Sequence, residues 1–153
     1  MKKKKCVIIY SSYHHMNTKK IVDEIHKRFK IRTVPIKDIK KIDLDFYEYI
    51  GFASGIYYGT FDKRLLKLAD DYSFNENQNV FLIYTCGVEY KNHAKGMEDI
   101  LKKKKCEYLD KFKCSGFDTY GILKFIGGVN RNHPNKFDLV DAIDFMKNIL
   151  DEK

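Results

Sequence analysis

The chain has no tryptophan among its 153 residues. Any stacking on a flat ligand therefore falls to its tyrosines and phenylalanines, 11 of each. Only two prolines are present, Pro35 and Pro134, and no low-complexity linker or internal repeat divides the sequence. Its length suits a single domain over residues 1–153, large enough to hold a core without metals or disulfides. The four cysteines, Cys6, Cys86, Cys106 and Cys114, form no CxxC pair. That excludes the usual zinc and dithiol spacings, and Cys6 in particular reads as a small core residue. No apolar run approaches the ~20 residues of a membrane span. The basic start Met1-Lys2-Lys3-Lys4-Lys5 is not followed by an apolar stretch long enough for a signal peptide, so a soluble cytoplasmic protein is expected. Neither GxxxxGK[ST] nor GxGxxG occurs, which disfavours a nucleoside-triphosphate P-loop and the common dinucleotide fingerprint.

What is present is an alternation of apolar runs with helical spacings. Cys6–Tyr10 reads as a buried strand. Ile21, Val22, Ile25 and Phe29 recur at helical spacing, predicting a helix over Thr18–Lys30. Ile31–Ile36 reads as a short strand whose Pro35 argues for a sheet edge. A third strand is predicted over Phe46–Ala53, followed by a helical face of Phe61, Leu65, Leu68 and Tyr72. Val80–Tyr84 is almost wholly apolar, as in a central parallel strand covered on both faces. A helix is predicted over His93–Lys105, with Met97, Ile100 and Leu101 inward, then an extended segment over Glu107–Cys114. Residues Ser115–Lys136 show no period, a length at which loops are commonly lids or binding segments. Asp138 is expected to cap a last helix bearing Leu139, Ala142, Ile143, Met146 and Leu150 on its inner face. The alternation predicts an α/β three-layer sandwich with a five-stranded parallel sheet in the order 2-1-3-4-5. Ligands in that topology bind beyond the carboxyl ends of the strands, at the switch between strands 1 and 3.

Three loops meet at that place. The first reads Ser11-Ser12-Tyr13-His14-His15-Met16-Asn17-Thr18 and runs from strand 1 into helix 1. A helix start presents unpaired N–H groups and about half a positive charge, so a phosphate there would gain those donors together with hydroxyls and an amide. Asn17 or Thr18 capping the helix is the plainer alternative. The turn has no glycine, and Asn17 or a histidine is expected to take its left-handed position. The second loop, Ser54-Gly55-Ile56-Tyr57-Tyr58-Gly59-Thr60, sets an aliphatic residue and two tyrosines between two glycines. The third, Thr85-Cys86-Gly87-Val88-Glu89-Tyr90, again joins a glycine to an aromatic residue. An anion cradle followed by two glycine-tyrosine loops suits a planar ring with a phosphate tail.

These stretches resemble the flavodoxin family over nearly the whole chain: "YSSYHHMNTKKI" after strand 1, "GFASGIYYGTFDKRLLKL" around strand 3, "LIYTCGVEY" after strand 4, and the tail "GFDTYGILKFIGGVNRNHPNKFDLVDAIDFM". The resemblance implies FMN, held without a covalent bond, and electron transfer in steps of one or two. By position it implies Ser11, Ser12, His14, Met16, Asn17 and Thr18 at the phosphate. It implies Ser54, Gly55, Ile56, Tyr57, Tyr58 and Gly59, with Thr85, Cys86, Gly87 and Tyr90, beside the ring. An electron carrier between redox proteins is the leading expectation, with an NAD(P)H- or quinone-dependent flavin oxidoreductase of the same fold as the alternative.

The net charge of +8 invites a nucleic-acid partner. Yet the lysines gather at the N-terminus and at Lys102–Lys105, the end of a helix, and no reading element accompanies them. The expected partners are redox proteins, acidic ones among them, with neither nucleic acid nor membrane, and the chain as a monomer or weak dimer.

Overall fold

The computed structural model describes residues 4–12, 16–87, 91–116 and 132–150. Among these, five strands form one parallel sheet: β1 (Cys6–Ser11), β2 (Arg32–Pro35), β3 (Tyr49–Gly55), β4 (Asn79–Cys86) and β5 (Glu107–Ser115). The spatial order is β2-β1-β3-β4-β5, as the sequence predicts. Four α-helices accompany them: α1 (Asn17–Phe29), α2 (Lys63–Asp71), α3 (Lys95–Lys102) and α4 (Lys136–Ile149).

The helices make two outer layers. α1 and α4 cover one face over Ile8, Ile21, Ile25, Phe81, Ile83 and Met146, while α2 and α3 cover the other over Val7, Ile9, Phe52, Leu65, Leu82 and Met97. Alternate residues of β1 and β4 thus enter opposite cores, which is why both strands read as unbroken apolar runs. Gly51 lets these layers close, because a Cβ there would stand 2.5 Å from the Phe81 ring. No helix among the described residues is long and apolar enough to cross a membrane.

Several boundaries differ from expectation. β3 begins at Tyr49 instead of Phe46, because Leu44–Phe46 forms a 3-10 turn that leaves Phe46 58% exposed. A second 3-10 turn, Ile36–Lys41, follows β2 directly and buries only Ile36, so its charged residues gave no helical stripe to read. β2 is an edge strand as Pro35 suggests, but spans only Arg32–Pro35. α3 is shorter than His93–Lys105: Asn92 turns back on the Ala94 amide, and Lys103 closes the helix without a left-handed cap. Asp138 is not the cap of α4. Asn135 is, accepting from the Phe137 and Asp138 amides, while the Asp138 carboxylate returns to the Asn135 N–H in a capping box. That carboxylate also meets His133 Nδ1 at 2.6 Å. Of the aperiodic stretch Ser115–Lys136, residues 117–131 lie outside the described residues.

Candidate functional site

The carboxyl ends of β1, β3 and β4 lie side by side, with Ser11 paired to Ser54 and Gly55 to Thr85 in the sheet register. The topology thereby brings the described parts of all three loops to one edge. His14 and Tyr90, with their neighbours Tyr13, His15, Val88 and Glu89, lie outside the described residues.

At the first loop, Met16 precedes α1 with φ 54°, in the left-handed region, and gives no side-chain cap. Among the described residues of the turn the left-handed position falls to Met16 and not to Asn17, and neither Asn17 nor Thr18 is the cap residue; the histidines lie outside the described residues. Ser12 takes over part of that task from farther away, its Oγ accepting from the Lys19 amide at 3.1 Å. The first turn of α1 carries no acidic residue, so the positive end of this 13-residue helix meets no carboxylate of its own there. Thr18 is buried and its hydroxyl lies 2.9 Å from that of Thr85, which ties the first turn of α1 to the end of β4. Asn17 is packed against Gly116, where a Cβ would stand 2.6 Å from Asn17 Nδ2. Gly116 in turn donates its N–H to the Cys86 carbonyl.

The second loop is a tight hairpin. Tyr57 and Thr60 exchange backbone hydrogen bonds at 2.8 and 3.2 Å, and the two residues between them have positive φ, 54° at Tyr58 and 81° at Gly59. Positive φ at both central positions marks a type I′ turn, for which Asn-Gly is the favoured pair. Tyrosine in that place costs about 1 kcal/mol of backbone energy. The two tyrosines part company here. Tyr57 folds back so that its hydroxyl would meet a Cβ on Gly55 at 2.8 Å, and it bonds to the Ser11 side chain. Burial pushes its phenol up to about 12, against the opposing effect of that hydrogen bond. Tyr58 points outward and is 87% exposed. His93, buried at the approach to α3, donates from Nδ1 to the Gly59 carbonyl at 3.1 Å and packs edge-on to the Tyr84 ring. Ile56 packs on the α2–α3 core. Cys86 is buried and Gly87 half-buried at the start of the third loop.

Two residues that the sequence reading passed over join the loops from below. Asp62 is 7% exposed. Its carboxylate accepts from Ser11 Oγ at 2.6 Å and caps α2 through the Arg64 amide at 2.8 Å. Its own N–H donates to Ser54 Oγ at 3.0 Å. Arg64 then returns to the same carboxylate, Nε to Oδ1 at 3.2 Å and Nη2 to Oδ2 at 3.0 Å. The hydroxyls of Ser11 and Ser54 are thus engaged below the loops, whereas that of Ser12, half-buried in the turn, accepts from the Lys19 amide at the start of α1. The only sequence signal for Asp62 was its place before a helical stripe, where aspartate is a common cap.

Comparison with known proteins agrees with this geometry. A family model described as a flavodoxin domain matches residues 7–121. An uncharacterized protein of Methanocaldococcus jannaschii is 38% identical over 148 residues, covering 95% of this chain and 98% of that one. The solved structure of a flavodoxin from the domain Archaea superposes with a TM-score of 0.66 at 13% identity, over 96% of each chain. A Fusobacterium nucleatum flavodoxin bound to flavin mononucleotide superposes with a TM-score of 0.60 at 16% identity, over 94% of this chain and 98% of that one.

Proposed function

Since the chain belongs to the flavodoxin family, we propose that it binds FMN at the carboxyl edge of β1, β3 and β4 and carries electrons between partner proteins. The observation that carries this reading is the convergence of an acid-free helix start, capped by a side chain only through Ser12 Oγ on the Lys19 amide, with an outward tyrosine on a strained hairpin. The residues present fit the cofactor. The backbone of Met16, Asn17 and Thr18, with the Ser12 hydroxyl, would hold the phosphate, where the dipole of α1 favours an anion. The main chain of Ser54–Gly59 and Thr85–Gly87 would border the ring, with Tyr58 as the stacking side chain. FMN, when bound, supplies reversible uptake and release of one or two electrons.

The protein's own part is positioning. Asp62 holds the Ser11 hydroxyl and caps α2, so the ends of β1 and β3 are fixed before any ligand arrives. Arg64 offsets that buried carboxylate, which would otherwise repel an incoming phosphate from close by. His93 pins the Gly59 carbonyl and so fixes the tip that carries Tyr58. Burial pushes the Cys6 and Cys114 thiols up to about 12, far from the thiolate that reacts.

The net charge of +8 favours an acidic redox partner. The test is to load the purified protein with FMN, reduce it, and follow reoxidation by added acceptor proteins. Fast transfer to an acidic acceptor protein, with little steady-state oxidation of NADPH, supports a carrier. Sustained NADPH oxidation with a small quinone acceptor would make it an enzyme instead.

A further inference from the structure

A cleft of about 380 Å³ opens on the opposite side of the phosphate turn from the ring loops. Its walls come from three places: the end of β1 with the start of α1, the 3-10 turn after β2, and the beginning of α2. It shares Ser11, Ser12 and Met16 with the turn and takes Lys19 from α1, yet no described residue of 54–60 or 85–87 lines it. Whatever enters therefore lies across the phosphate site from the proposed ring. The volume falls in the range of small-molecule sites, roughly 300–1,000 Å³.

The chemistry of the walls is mixed in a particular way. Tyr10, Ile36 and Met16 supply apolar surface, while Lys19, Lys37 and Arg64 bring positive charge from three separate elements. One carboxylate, Asp38, also lines the cleft and pairs with Lys41 at 3.3 Å. Lys19 pairs with Asp23 at 2.7 Å. Lys37 forms no ion pair among the described residues. Arg64 differs from an ordinary surface cation, because the buried Asp62 grips it through both Nε and Nη2 while 47% of its side chain stays exposed. A guanidinium held this way loses little freedom on meeting an anion.

We propose that this cleft receives a second phosphate-bearing ring, with Lys37 and Arg64 facing the phosphate and Tyr10, Ile36 and Met16 bordering the ring. The shared chemistry is a nucleoside phosphate. It arrives either as the adenylate half of a flavin dinucleotide, whose flavin half sits at the site proposed above, or as a separate nucleotide beside bound FMN. The first source rests on the FMN reading, whereas the cleft itself is formed by residues outside the ring loops.

The test titrates FMN and FAD into flavin-free protein, and ADP into both flavin-free and FMN-loaded protein, for the wild type and Lys37→Gln. Lys37 is exposed and outside the phosphate turn, so FMN affinity is expected to stay within about twofold. FAD binding several-fold tighter than FMN, with that margin shrinking about threefold in Lys37→Gln, identifies the dinucleotide source. Saturable ADP binding to FMN-loaded protein, weakened about threefold by the same change, identifies the separate nucleotide. The proposal is overturned if FAD binds no tighter than FMN and ADP binds neither form, or if Lys37→Gln and Arg64→Gln leave all nucleotide binding unchanged. Lysine-dependent ADP binding by a protein that takes up no flavin would retain the cleft and remove the FMN reading.

Discussion

Tyr58 concentrates the conflict between stability and function in a single side chain. Its backbone sits where glycine or asparagine is at ease, and its ring lies almost wholly in solvent. The positive φ costs the folded chain backbone energy, and strain of this kind is commonly kept where a ligand is met. Tyr58→Gly is expected to keep or raise the melting temperature, since it relieves positive φ, while weakening FMN about fivefold or more through loss of one aromatic contact. Thermal unfolding of the flavin-free protein beside a fluorescence titration with FMN checks both halves. A drop in both would place Tyr58 in the scaffold. Asp62 is the opposite case, a buried charge serving structure first. Asp62→Ala removes the cap of α2 and the acceptor for Ser11 and Arg64, and should cost about 2–3 kcal/mol in urea unfolding. The sequence showed where tyrosines cluster, but not that Tyr57 turns in and Tyr58 out. That division depends on the hairpin type, and Tyr-Gly is not the pair that announces a type I′ turn.

At the scale of elements, the strands and long helices were legible because each carries a strong periodic or continuous apolar signal. The connection between β2 and β3 was not, since Ile36–Lys41 and Leu44–Phe46 are 3-10 turns rich in lysine and aspartate with one buried residue each. The start of α1 was legible as a helix start, while its left-handed residue proved to be Met16, which composition gives no reason to choose. One glycine contact tests how the elements close. Gly116→Ala would drive a Cβ into Asn17 across the start of α1, and should lower stability by about 1–3 kcal/mol, with a larger loss in FMN affinity than a remote change of equal cost. Another tie joins α3 to β5. Burial alone would raise the Glu98 carboxyl, but hydrogen bonds from Tyr108, Asn92 and Lys111 outweigh it and hold the group below its ordinary 4.5. A carboxyl depressed in the folded state stabilises above its unfolded value, and that contribution is lost as pH falls through the folded one. Melting temperature should therefore decline more steeply below pH 4.5 in the wild type than in Glu98→Gln, and parallel declines would contradict the tie.

At the scale of the whole molecule, fold and charge act separately. The order β2-β1-β3-β4-β5 followed from an edge proline and a doubly buried strand, and it alone decided which loops meet. The charge of +8 says nothing about fold but governs encounter. Electron transfer to an acidic partner should slow by about tenfold or more between low and physiological salt, and a rate flat across that range would contradict steering. The central claim is that the start of α1 grips a phosphate whose ring rests against the Tyr58 hairpin. A titration of flavin-free protein with FMN and with riboflavin tests it most directly, because the two ligands differ only in that phosphate. Saturable binding of FMN at one site, at least about tenfold tighter than riboflavin, is the predicted result. Equal affinity for the two, or no uptake of either, would contradict it.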